Sequence, residues 1–376
     1  MKRYRVLFVF GTRPEAVKLC PLILEMRERE ELEARVCVTA QHREMLDAML
    51  GRFGVEPDHD LDVMAPDQPL NALTARILER LDPVLVAEQP DFVLVQGDTT
   101  TTMAASLACF HRRIASGHVE AGLRTGDMTQ PFPEEMNRVM TGRLAALHFA
   151  PTPRAAENLL REGVERERIF VTGNTGIDAL LYVRERLERG EWQGFDGSVP
   201  AAGRKLILMT AHRRESFGEG FVRICEAVRR LAGRGDAEIV YPVHPNPNVR
   251  EVVERMLGGV EGVRLVEPLD YVPFVDLMRR ADILLTDSGG VQEEGPSFGK
   301  PVLVMREKTE RQEAVEAGAA ILVGTDPERI VYSAGRLLDS AEAREAFTRV
   351  RNPFGDGRAS ERILRAIHSF LAASGA

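Results

Sequence analysis

Short runs of apolar, often β-branched residues alternate along this chain with longer stretches whose apolar positions recur at helical spacing. The clearest runs lie at 5–10, 34–39, 92–96, 114–119, 206–209, 239–241, 263–266, 283–286 and 302–305. Runs that are apolar along their whole length predict strands buried on both faces, as in a parallel sheet covered by helices. The alternation therefore reads as α/β. A Gly-, Pro- and Ser-containing stretch at 190–203 divides two strand–helix series of similar length. It predicts two domains, with the boundary near or before it: 1–172 and 173–357. The segment 358–376 carries a helical apolar pattern (Ile363, Leu364, Ile367, Leu371) and is expected to pack back on the first domain. Pro83 interrupts the helical run 71–88 and is expected to kink or split it.

A length of 376 residues is too great for one ordinary core. A net charge of −8 gives no support to nucleic-acid binding. No apolar stretch approaches a membrane span, and the first ten residues are too short for a signal peptide, so a cytoplasmic protein is expected. Cys20, Cys37, Cys109 and Cys225 are isolated from one another and read as reduced core residues. The histidines form no metal-ligand pattern.

The polar motifs follow the apolar runs, where open parallel sheets bind ligands. Two acidic clusters stand out. Glu120 lies at a predicted strand end, Glu134 and Glu135 at a predicted helix start, and the glycines and prolines between them predict a loop. Two such carboxylates can serve proton transfer at carbon. Alternatively, Glu134 and Glu135 complement the dipole of their helix. GTRPEAVK at 11–18 places Arg13 and Lys18 near a helix start capped by Thr12, which suits phosphate or a solvated turn. It is not the GxGxxG of a nicotinamide site. In QGDTTTT at 96–102, Asp98 either caps the following helix or acts on substrate.

In AHRRESFG at 211–218, His212 stands beside two arginines, which favour its neutral form unless a phosphate offsets them. In DSGGVQEE at 287–294, Gly289 and Gly290 would let a diphosphate approach backbone N–H groups, with Glu293 or Glu294 placed for ribose and Arg311 adding charge. His244 sits in a proline-rich turn, with functional and structural readings both open.

Together with TAQHREML at 39–46, HVEAGLRTGD at 118–127 and PFPEEMNR at 131–138, these motifs stand in the order found in the non-hydrolysing UDP-N-acetylglucosamine 2-epimerases of bacteria, and the chain resembles that family over nearly its whole length. The resemblance implies two Rossmann-like parallel-sheet domains facing across a cleft, as in one large glycosyltransferase class (glycosyltransferase-B-like). It implies reversible epimerisation of UDP-N-acetylglucosamine to UDP-N-acetylmannosamine, without a redox cofactor or metal, by a homodimer. Asp98, Glu120, Glu134 and His212 become the implied catalytic set. Arg13, Lys18, Phe274, Ser288, Gly289, Gly290, Glu294 and Arg311 become the implied UDP contacts. Gln41, Arg43 and His244 match an activating second substrate site. Two departures are Gln312, where relatives have proline, and Asp67, where many carry a basic residue. The rivals are a glycosyltransferase of the same architecture, a hydrolysing epimerase releasing N-acetylmannosamine, and a non-catalytic sugar-nucleotide sensor.

Overall fold

The computed structural model describes residues 3–40, 43–65, 68–197, 199–201 and 203–374. The chain folds into two compact units, Met1–Ala179 with Gly355–Ala376, and Leu180–Phe354.

In the first unit, β1 (Tyr4–Phe10), β2 (Leu32–Val38), β3 (His59–Asp60), β4 (Phe92–Gln96), β5 (Ser116–Val119), β6 (Leu147–Ala150) and β7 (Ile169–Val171) form one parallel sheet. Its order is β3-β2-β1-β4-β5-β6-β7. Every residue of β4 is buried, as is β1 from Val6 onward. Full-length burial is why these strands read as unbroken apolar runs. In the second unit, β8 (Lys205–Thr210), β9 (Ala237–Pro242), β10 (Val263–Val266), β11 (Ile283–Thr286), β12 (Val302–Val304) and β13 (Ala320–Leu322) pair in the order β10-β9-β8-β11-β12-β13. All of its pairings are also parallel. Both sheets reverse their winding beside the first strand, β1 next to β4 and β8 next to β11. That is the Rossmann arrangement, and it opens a crevice at the carboxyl ends of those strands.

Helices cover the sheets with apolar stripes. The helix Glu219–Ala232 presents Phe221, Ile224, Val228 and Leu231 to the cluster that holds Ile207, Met209 and Tyr241. Tyr241 is fully buried, and its hydroxyl donates to the Ala211 carbonyl at 2.7 Å, tying β9 to the turn after β8. The helix Ala359–Ser374 packs on Arg13–Arg27, with the Ala359 and Ser360 N–H groups donating to Asp178 at 3.2 and 2.7 Å.

Pro83 neither splits nor ends its helix, which runs from Leu70 to Glu88. Leu81 and Leu85 on either side are buried in the core, whereas Pro83 is exposed, so apolar packing holds the segment while water can reach its unpaired backbone. The four cysteines are buried and free; burial pushes the thiols of Cys20, Cys109 and Cys225 up to about 12. Among the described residues no helix is long and apolar enough to cross a membrane.

Candidate active site

The carboxyl edge of the first sheet is assembled from the turns after β1, β4 and β5. Gly11 leaves β1 so close to Thr39 that a Cβ there would lie 2.0 Å from its Oγ1. Thr12 and Glu15 then form a capping box on the helix Arg13–Arg27. The buried Glu15 carboxylate does more than cap. Its Oε2 accepts from the Gly11 and Thr12 N–H groups at 3.0 and 2.8 Å, while Oε1 accepts from the Thr99 and Thr102 hydroxyls at 2.8 and 3.3 Å. Burial raises its pKa against the pull of those donors. The turn bearing Arg13 is thereby tied to the turn bearing Asp98.

Asp98 is half-buried, and its Oδ2 lies 2.5 Å from Arg138 Nη2, while Asn137 donates to its carbonyl at 3.0 Å. Burial pushes its carboxyl up from the usual range; Arg138 opposes that shift and nearby Glu120 reinforces it. Glu120 itself follows β5 with a φ of +66°. This left-handed backbone is uncommon for a residue with a side chain. The side chain is held by Lys18 Nζ at 2.5 Å and by the Gln96 amide, both on Oε2. Beneath it, His118 Nε2 lies 2.7 Å from the Gly97 carbonyl, so Nε2 carries the hydrogen. Burial drives the His118 pKa down to about 3.

The adjacent glutamates Glu134 and Glu135 diverge. Glu135 is buried; its Oε1 accepts from the Thr125 and Gly126 N–H groups at 3.0 and 3.1 Å, and Oε2 lies 3.3 Å from Arg138. It shapes the loop. Glu134 instead lines a cavity of about 440 Å³ together with Asp98, Thr99, Asn137, Gln68 and Leu73. Its Oε2 is buried without a hydrogen-bond partner among the described residues.

In the second unit, the turns after β8, β11 and β12 meet. Asp287, fully buried, accepts the N–H groups of His212 and Arg213 on Oδ2 at 2.6 and 2.7 Å. The His212 ring stacks on His244, centroids 5.2 Å apart. Burial lowers the His212 pKa, Asp287 opposes, and Arg213 and His244 add to the fall. Arg213 Nε is buried with no partner among the described residues. The buried Arg306 grips Glu215, in the His212 turn, at 2.5 and 3.3 Å and Glu310 at 2.7 and 3.1 Å. Arg311 lies over Gly289, where a Cβ would come within 2.8 Å of its guanidinium carbon, and pairs with Glu293 at 2.9 Å. Gly290, by contrast, is more open: among the described residues an added Cβ meets only Ser288 Oγ within 4 Å, at 3.8 Å. Tyr271 donates to Glu294 at 3.3 Å, and the half-buried Phe274 lies on the same helix.

The family model for UDP-N-acetylglucosamine 2-epimerase matches residues 24–368. The UDP-N-acetylglucosamine 2-epimerase of Salmonella typhimurium is 56% identical over 375 residues, covering 97% of this chain and 99% of the relative. That of Escherichia coli K12 is 55% identical, covering 96% and 98%. The crystal structure of UDP-GlcNAc 2-epimerase from Neisseria meningitidis bound to UDP-GlcNAc is 46% identical with a TM-score of 0.87, covering 97% of this chain and all of the other. The chain belongs to the UDP-N-acetylglucosamine 2-epimerase family.

Membership of this isomerase family agrees with the two Rossmann-like parallel sheets, which are of the glycosyltransferase-B-like class expected from the sequence. Of the residues singled out by resemblance to the epimerases, Asp98, Glu120, Glu134, Arg13 and Lys18 lie in the first unit, with Lys18 engaged by Glu120. His212, His244, Phe274, Ser288, Gly289, Gly290, Glu294 and Arg311 lie in the second. Gln41 and Asp67 lie outside the described residues, and of Arg43 only the backbone, opening the helix Arg43–Phe53, is described. Gln312 opens the helix Gln312–Glu316, needing no proline there. Sequence reasoning missed Glu15, Gln96, Arg138, Asp287 and Arg306 as organisers of the site. Only Glu15 carried a local signal, the Thr12-to-Glu15 capping spacing. Among the described residues no group of three or more His, Cys, Asp and Glu side chains is arranged to hold a metal ion.

Proposed function

We propose that the chain interconverts UDP-N-acetylglucosamine and UDP-N-acetylmannosamine by eliminating UDP and adding it back. A carboxylate of the first unit removes the proton at the second sugar carbon. The electron pair released forms a double bond to the anomeric carbon as the bond from that carbon to the UDP oxygen breaks. In the return step the phosphate oxygen attacks the anomeric carbon, and a proton reaches the second carbon from the opposite face. One carboxylate cannot easily serve both faces of a ring, so Asp98, Glu120 and Glu134 divide the work. The observation that carries this reading is the buried, unpartnered Glu134 Oε2 on the wall of a cavity it shares with Asp98. A desolvated carboxylate oxygen lining the same cavity as a carboxyl whose pKa is raised makes two groups suited to proton transfer.

The second unit holds UDP. His212, Arg213 and Arg311 stabilise its phosphates as charge develops, with Gly290 open to close approach. Glu294 takes the ribose, and Phe274 lies near the uracil. By resemblance to the family, Gln41 and Arg43 contribute to binding a second, activating substrate molecule, and His244 is a further candidate for that role. The enzyme acts in the cytoplasm as a homodimer, and its product feeds bacterial surface-polysaccharide assembly.

The test is incubation with UDP-N-acetylglucosamine in heavy water, without added nicotinamide or metal, read by proton NMR. The expected result is UDP-N-acetylmannosamine with deuterium at the second carbon. Free N-acetylmannosamine as the main product would replace this reading with hydrolysis. Protium retained at that carbon through many turnovers would overturn elimination.

A further inference from the structure

His212 and Asp287 follow neighbouring strands, β8 and β11, whose last residues Thr210 and Thr286 are paired in register. Two short bonds from the His212 and Arg213 N–H groups to Asp287 Oδ2 fix the plane of that carboxylate. They leave its other oxygen, Oδ1, buried and without a hydrogen-bond partner among the described residues. Oδ1 lies 3.5 Å from His212 Nδ1. A fully buried carboxylate oxygen aimed at an imidazole nitrogen is unfavourable to leave unmatched, and one proton on Nδ1 matches it.

We infer that Asp287 is the positioning residue of His212: it selects the tautomer with hydrogen on Nδ1, leaves Nε2 for the ligand, and favours the imidazolium once phosphate arrives. This rests on the reading above, in which His212 meets the phosphate of departing UDP. The groups around the ring divide clearly. Burial, Arg213 and the stacked His244 disfavour a second proton, whereas Asp287 favours it. In the free protein the neutral ring is preferred. An anionic diphosphate supplies a second negative charge, and the imidazolium then forms where the glycosidic bond breaks. The carboxylate–imidazole pair works as in other sites where a buried Asp orients a histidine without itself taking the proton.

The experiment compares the wild type, Asp287→Asn and His212→Asn. The asparagine retains an acceptor for the two backbone N–H groups, but its amide donates to Nδ1 and locks the ring in the wrong tautomer. With Asp287→Asn, the alkaline limb of the kcat profile should move to lower pH by about one to three units, the range for losing an opposite charge at contact distance. Affinity for UDP should change far less, and turnover should recover on acidification. An unmoved limb in folded Asp287→Asn, with His212→Asn nearly inactive, would overturn the role of Asp287 and leave that of His212 standing. Normal turnover in His212→Asn would overturn the role of His212 and with it the pairing. Should Asp287→Asn fail to fold, ¹⁵N spectra of histidine-labelled wild type with UDP decide. A deshielded proton on His212 Nδ1 supports the pairing, and hydrogen on Nε2 alone overturns it.

Discussion

Lys18 Nζ lies 2.5 Å from Glu120 Oε2, joining the first helix of the chain to the end of β5, 102 residues later. With the Gln96 amide on the same oxygen, the carboxylate is held from two sides.

The carboxylates should therefore separate by role. Asp98→Asn, Glu120→Gln and Glu134→Gln should each lower turnover at least about 10²-fold, the lower range for acid–base catalysis, with UDP affinity retained. Glu135→Gln should be much milder in turnover. Glu135→Ala, which strands the Thr125 and Gly126 N–H groups, should appear as about 1–3 kcal/mol of lost stability. Steady-state kinetics and denaturant melts on these variants check the division.

Gly289 and Gly290 should respond differently to added side chains. Gly290→Val should weaken UDP without unfolding the unit, because an added Cβ meets only Ser288 Oγ, at 3.8 Å, among the described residues within 4 Å. Gly289→Ala should displace Arg311 and cost stability as well. Calorimetry showing unchanged UDP affinity in folded Gly290→Val would relocate the nucleotide.

Arg306 should couple the His212 turn to the Arg311 turn. Arg306→Met leaves Glu215 and Glu310 without their shared cation, so UDP affinity and melting temperature should both fall. Arg306→Lys should rescue little, since a point charge cannot fork to two carboxylates. Burial pushes the Glu310 carboxyl up, yet the Arg306 hydrogen bonds and charge bring it down to about 2. A folded pKa below the unfolded one means stability that is present above the ordinary carboxylate range and lost as pH falls toward 2. Melting curves at neutral and acid pH should show that loss in the wild type and less of it in Arg306→Met.

His118 should give a second acid-sensitive component. Its folded pKa of about 3 lies below the ordinary histidine value, so between the two the unfolded chain binds the extra proton. Stability from the neutral ring is complete above about 6.5 and declines as pH falls toward 3. His118→Gln removes the titrating group while offering a donor toward Gly97. Its melting temperature should fall less steeply over that window; an identical slope would assign the acid lability elsewhere.

How much of this was legible in the chain depends on the range of each interaction. β1 and β4 were plain because burial on both faces leaves an unbroken apolar run. β6 was not, since its four residues include His148, nor was β3, whose two residues His59 and Asp60 are both polar. β7 and β13 have three residues each, too few to show a period. Glu120 and Asp98 were visible as polar residues closing apolar strands. Their partners were not: Arg138 reaches Asp98 across 40 residues, and Arg306 reaches Glu215 across 91. Strand order sets those meetings, and no local pattern encodes them.

The left-handed backbone at Glu120 has a consequence for the protein's history under heat. A side chain in that conformation costs about 1–2 kcal/mol, which glycine would largely recover. Backbone strain alone would thus draw position 120 toward glycine or asparagine, and each step would erase the carboxylate that pairs with Lys18 and Gln96. On the role proposed for Glu120, robustness and turnover pull in opposite directions at this one backbone position, so a thermally hardened descendant that keeps the carboxylate must find its stability elsewhere.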